Sequence, residues 1–291
     1  NITLTGGTGA AGRGMLENSS TGNATLAGGT ITITGSPVAG GHFAGASTGT
    51  LTVSDPVNST VPVIFRLGTA IFGGGGTYSD FGIYSGTVRL GANDGLSTSA
   101  KVDIGAVGAA NFDLAGYNQS LSGLSKNANG ANVGNSLSSS TSILTTTGTS
   151  SFAGVIADNL GAGTGKVDLK ANSGSLTLSG TNSFSGNITV DGGTLIAAGA
   201  TNSPGIPVLG NRSNTRTITV NSGGTLRFDS GNVLGTSHVA TTAPTLIING
   251  GGQVTNASPA TNNPLNDLEI NGGTLTATTG STSGYAAWNL N

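Results

Sequence analysis

The chain has 291 residues, of which 52 are glycine and none cysteine; 8% are charged, 4% are aromatic, and the formal net charge is −2. Nothing in that balance draws it to nucleic acid or to an acidic membrane surface. Disulfides, thiolate metal sites and cysteine nucleophiles are excluded, and the redox compartment is left open.

Glycine without a G-x-y period is not collagen. Scarce Glu and Lys beside abundant Thr, Ser, Val and Ile indicate short strands and frequent turns, with almost no helix. The apolar residues, 35% of the chain, are patterned and not depleted, which argues against a disordered linker. Their runs are short and broken by Gly, Asn or Thr, so no transmembrane helix is expected.

In chain order, strand-like stretches begin with "NITLTGG" at residue 1, "GGTITITG" at 28–35 and "SGTVRLG" at 85–91. They continue as "GSLTLSG" at 174–180, "DGGTLIAAG" at 191–199, "SGGTLRFDSG" at 222–231, "NGGGQVTN" at 249–256 and "NGGTLTATTG" at 271–280. Each sets apolar side chains two apart and closes on a turn-former. A second apolar pair precedes many of them: "NITV" from 187, "TITV" from 217, "LIIN" from 246 and "LEIN" from 268. The unit is a strand, a Gly-Gly or Asn-Gly corner, a strand and a looser connection, repeating at roughly 20 to 30 residues, the range of solenoid coils.

One such unit buries too little to stand alone, and stacking merges the short apolar faces into a continuous core. Asn-Gly also favours hairpins, but the long period and the Gly-Gly-Thr step into the next strand fit coils better. The expected fold is therefore all-β, a right-handed parallel β-helix (β-solenoid) over residues 1–291, with a β-sandwich array as the alternative. Residues 36–84 and 125–165 do not keep the period and read as irregular coils or loop insertions. The ends, "NITLTGG" and "AAWNLN", fall mid-unit, as in part of a longer protein.

Charges follow the same pattern. Arg66, Arg89, Asp103, Asp113, Asp168, Arg227 and Glu269 each stand between two apolar neighbours, which places them on the solvated faces of strands. Ser47 in "GASTG" matches a nucleophile-elbow pattern by composition alone, without a strand-to-helix transition. His42 and His238 are far apart in sequence and lack carboxylates at ligand spacing. No phosphate loop or GGxGxD calcium repeat occurs, so no cofactor or metal is expected. Asp168 and Asp267, with Lys166 and Lys170, keep open the alternative of a polysaccharide-acting β-helix enzyme. In "GGGGTYSDFGIY" (73–84), Tyr78, Phe81 and Tyr84 are candidates for contact with a glycan or a surface protein, or for covering a coil end.

"GSLTLSGTNSFSGNITVDGGTLIAAG" (174–199) resembles the autotransporter-associated β-strand repeat, G-x-L-x-L-x-G-x-N-x-[YF]-x-G-x-x-x-[VI]-x-x-G-x-L. Leu176, Leu178, Gly180, Asn182, Phe184, Gly186, Val190, Gly193 and Leu195 fall in its places. Residues 89–125 resemble the segment that often accompanies such repeats. The resemblance implies a passenger region folded as a right-handed β-helix, at the bacterial outer surface or extracellular. It implies a non-enzymatic structural or adhesive role. Low charge adds the alternative of a subunit that self-associates through its coil ends into a filament or sheath.

Overall fold

The structure is a computed structural model that describes residues 1–5, 15–35, 41–45, 48–161, 163–199, 207–213, 215–235, 243–258, 263–277 and 289–290. The described residues hold no helix, and their strands join in parallel ladders, so the fold is a parallel β-helix. They form two compact units, Asn1–Ser142 with Leu160–Gly165, and Ile143–Asn159 with Lys166–Asn291.

In the first unit the first four coils each visit three sheets in turn. One contains Ile2–Thr5, Ile31–Thr34, Val57–Ser59 and Gly76–Thr77. The next, here the groove sheet, contains Leu16–Glu17, Gly41–Ala44, Val63–Phe65, Asp80–Ile83, Lys101–Ile104 and Gly123–Lys126. The last runs through Ala24–Leu26, Thr50–Val53, Thr69–Phe72, Gly86–Leu90, Ala110–Asp113 and Ala131–Asn135.

Register stacks like on like. Val63, Phe81, Val102 and Leu124 form one inward row of the groove sheet, all buried. Leu51, Ala70, Val88, Phe112 and Val133 form its counterpart in the third sheet. Between them Phe72 meets Phe43 and Phe81 edge-on, at centroid distances of 5.6 and 5.2 Å. Edge-to-face packing of this kind adds about 0.5–1.5 kcal/mol per pair to the burial of the rings.

The second unit is built mainly from two sheets. One includes Lys166–Ala171, Ile188–Val190, Thr217–Val220, Thr245–Asn249 and Asp267–Asn271. The other contains Thr149–Phe152, Ser175–Leu178, Thr194–Ala197, Thr225–Phe228, Gln253–Asn256 and Thr274–Ala277. The row Leu169, Ile188, Ile218, Leu246 faces the row Leu176, Leu195, Leu226, Val254, as alternation of the sequence predicts. Gly223, Gly251 and Gly272 occupy the corner between the two sheets in successive coils, with φ of +80°, +80° and +85°. Only glycine takes that left-handed turn without strain, which explains the first glycine of the pair in these three coils.

The segments 36–84 and 125–165, which read from the sequence as irregular coils or loop insertions, contain coil strands. The described residues from 41 to 84 and from 125 to 161 carry strands seated in the ladders. The period is lost to the eye because connections vary while strands stay in register. One step, Phe65 to Ile83, spans 18 residues, and another, Thr194 to Thr225, spans 31.

Asp113 departs from the sequence reading. It is 4% exposed and not on a solvated face. One carboxylate oxygen accepts from the backbone N–H groups of Ala115 and Ser136, and the other accepts from the Ser136 hydroxyl. Asp113 thus ties one coil's corner to the next coil, with Arg89 Nε 3.4 Å away.

Candidate functional site

The outer face of the groove sheet carries a cavity of about 390 Å³. Strand register assembles it from four coils. One outward row reads Ile64, Gly82, Asp103, Ser125, and the row beside it includes Asp80 opposite Lys101. The missing side chain at Gly82 makes the dent. A Cβ placed there would lie 2.7 Å from Cε1 of Tyr84, so the ring settles against the strand only because residue 82 is glycine. Pro62, Ile64 and the Tyr84 ring supply apolar wall, while Asp80, Lys101, Asp103 and Ser125 supply polar groups.

The polar groups are partly held in place. The two oxygens of Asp103 accept from Ser125 Oγ and Asn127 Nδ2, each at 2.9 Å. Asp80 accepts from Ser79 Oγ at 2.7 Å. The Arg66 guanidinium carbon lies 5.5 Å from the Tyr84 ring centroid, within cation–π range.

The three aromatic candidates separate. Tyr84 is half-buried and borders the groove. Phe81 contributes to the groove wall, but its side chain is 1% exposed and packs on Phe72 and Tyr78. Tyr78 is 4% exposed; its hydroxyl accepts from the Ser97 N–H at 3.0 Å, and burial pushes its pKa up. Tyr78 and Phe81 are therefore core residues, because the "YSDFGI" segment is a strand with its approach and not a loop. Neither ring is available to stack on a ligand.

In the second unit the motif residues turn out to be joints between coils. Asn182 is fully buried; its Oδ1 accepts from the N–H of Ile156 in one coil and its Nδ2 donates to the carbonyl of Val208 beyond it. A side chain on Gly180 would collide with the carbonyl of Gly154, and one on Gly186 with that of Val167. Phe184, 0% exposed, supports the guanidinium of Arg216, whose carbon lies 4.6 Å from the ring centroid.

Arg216 is 2% exposed and donates to the carbonyls of Gly186 and Asn211, at 2.6 and 3.0 Å, leaving Nη2 without a partner. Burial pushes its pKa down to about 10, against the pull of Asp158 and Asp168, so it remains a cation near neutral pH. Nothing in the sequence pattern singles it out, since it stands in a long connection ahead of a strand.

Asp168 is half-buried, and desolvation raises its pKa although it accepts from the Asn187 N–H at 2.8 Å. In register it leads a row through Asn187, Thr217 and Thr245 to Asp267, so four strand spacings of about 4.8 Å each keep the two carboxylates apart. A corner ladder runs beside it. Lys170 pairs with Asp191 at 2.6 Å, Asn221 donates to Asp191 at 2.6 Å, and Asn249 to Asn221 at 2.7 Å.

The remaining chemical candidates do not assemble. Ser47 and His238 lie outside the described residues, and of His42 only the backbone, in the strand Gly41–Ala44, is described. Among the described residues no three His, Asp or Glu side chains are grouped to hold a metal, and no helix is long and apolar enough to cross a membrane.

Fold and motif together define a parallel β-solenoid whose second unit carries the passenger signature. Residues 169–197 match the family described as Passenger-associated-transport-repeat, so the chain contains a repeat of the autotransporter-passenger type. Such a repeat implies a surface or secreted chain. Comparison with curated proteins and with solved structures gave no match.

Proposed function

We propose that the chain is a non-enzymatic structural or adhesive solenoid, exposed on a bacterial cell or released from it. The observation that carries this reading is the use of the passenger motif itself: Asn182, Gly180, Gly186 and Phe184 are all spent on joining coils. No side chain of that motif is left presenting chemistry. The spacing between Asp168 and Asp267 likewise favours a scaffold over paired-carboxylate cleavage.

The test is surface display of the chain on a heterologous anchor, scoring adhesion to glycan-coated and protein-coated surfaces against the anchor alone. Increased adhesion is expected. Release of reducing ends from neutral or acidic polysaccharides by the purified chain overturns the non-enzymatic part.

Assembly through coil ends is the second reading, favoured by one observation. Ile270 stacks on the fully buried Ile248, yet is itself 48% exposed in the coil built from Asp267–Asn271 and Thr274–Ala277. A sheet edge carrying such an apolar row suits pairing with another copy. Light-scattering mass that rises reversibly with concentration supports it; a constant monomer mass excludes it.

A further inference from the structure

We propose that the groove over Gly82 is a binding site for an uncharged pyranose oligosaccharide. The inference rests on the adhesive half of the reading above and names its ligand class. The cavity, about 390 Å³, falls in the lower part of the range that holds small ligands. It crosses the strands from Val63–Phe65 to Gly123–Lys126, on the order of 14 Å at the usual strand spacing.

Three observations choose the ligand. The first is division of character. Pro62, Ile64 and the Tyr84 ring are apolar, while Asp103, Ser125, Lys101 and Asp80 are polar. A pyranose has the matching division, with C–H groups on its ring faces and hydroxyls around its edge. Asp103 spends one acceptor position of each oxygen on Ser125 and Asn127 and retains others for ligand hydroxyls. Lys101 is exposed and can donate to ring or hydroxyl oxygens.

The second is charge balance. Two carboxylates, Asp80 and Asp103, and one cation, Lys101, line the groove, and the Arg66 guanidinium lies over the Tyr84 ring at its border. A ligand of either sign meets a like charge as well as an opposite one, so the groove favours a neutral polyol over an acidic glycan or a charged peptide.

The third is backbone satisfaction. Asp80–Ile83 and Lys101–Ile104, the strands at the middle of the groove, each pair on both edges within the sheet, so the groove floor offers no row of free N–H and C=O groups to which a peptide could add as a strand. Recognition must come from side chains.

The experiment is saturation-transfer NMR on the whole chain with cellobiose, lactose, mannobiose and N,N′-diacetylchitobiose at about 10 mM, a range suited to weak millimolar affinity. Digalacturonic acid and a lysine tripeptide serve as charged probes. Transfer to at least one neutral disaccharide is expected. Asp103→Asn should weaken it about tenfold or more, as loss of a hydrogen bond to a charged group does. Lys101→Met, at an exposed position, should also weaken it and guards against misfolding of the first variant; both proteins are checked by thermal melt.

Silence from all four neutral sugars, preference for either charged probe, or binding unchanged in both folded variants overturns the proposal. If displayed chains still adhere while the groove stays empty, the adhesive reading survives and the groove inference alone fails.

Discussion

The two units solve one problem with different interiors. In the first unit, whose first four coils have three short strands each, the core is wide enough for Phe43, Phe65, Phe72, Phe81 and Phe112, all essentially unexposed. In the second unit two principal sheets face each other across mostly aliphatic rows. The space beyond them is closed by polar joints, with Asn182 and Arg216 buried among backbone carbonyls. An apolar core tolerates irregular connections because hydrophobic burial is non-directional. A core closed by hydrogen bonds requires particular residues at particular places, and there the family signature is readable.

That difference predicts where each unit is weakest. In the first, Phe72→Ala removes the ring that both Phe43 and Phe81 pack on edge-on, and should cost about 3–5 kcal/mol in chemical denaturation. Phe72→Leu, which keeps most of the volume, should cost distinctly less. Equal losses for the two would mean that aromatic packing is not what holds this core.

In the second unit the corresponding break is polar. Asn182→Ala leaves the Ile156 N–H and the Val208 carbonyl buried without their partner, at about 1–3 kcal/mol for each group. Asn182→Leu, larger and apolar, should not restore stability, and that failure separates a hydrogen-bonding role from a space-filling one. Restoration by Leu would make the second core like the first, and the contrast would fall.

A smaller effect belongs to the corners. Gly251→Ala forces an L side chain to φ near +80° and should cost about 1–2 kcal/mol. Gly250→Ala next to it, which lacks the positive φ, is the control. A loss confined to Gly251 fixes the turn conformation as the reason for glycine at that corner position.

Much of this was legible in the sequence, and the gaps have physical causes. Alternation alone places Ile188, Val190, Leu195 and Leu226 inward, since it depends only on strand geometry. The motif marks Asn182 but not its reach, because its partners stand 26 residues away on either side. Asp113 misled because alternation assigns a face and is blind to a corner that folds back over it. The groove was not legible at all: Ile64, Gly82, Asp103 and Ser125 meet only after unequal steps of 18, 21 and 22 residues. Reading the aromatics as a loop followed from the same irregularity, and only Tyr84 borders the groove with its ring not fully buried.

The smallest predicted effect sets two carboxylates of the second unit against each other. Desolvation raises the pKa of Asp168, so folding favours its protonated form. Its contribution is therefore best below the unfolded value of about 3.9 and is lost as pH rises through the folded value. Asp191 behaves oppositely: hydrogen bonds from Lys170 and Asn221 hold its pKa down. Its contribution is present above the unfolded value and is lost as pH falls through the folded one. Asp168→Asn, which keeps an oxygen for the Asn187 N–H, should raise the melting midpoint near pH 7 and lose that advantage near pH 3. Asp191→Asn should lower the midpoint near pH 7 and converge on the parent protein in acid, more completely in high salt because the Lys170 pair is partly exposed. Parallel pH profiles for the two variants would mean that the corner ladder and the half-buried Asp168 share one environment, against the geometry that separates them.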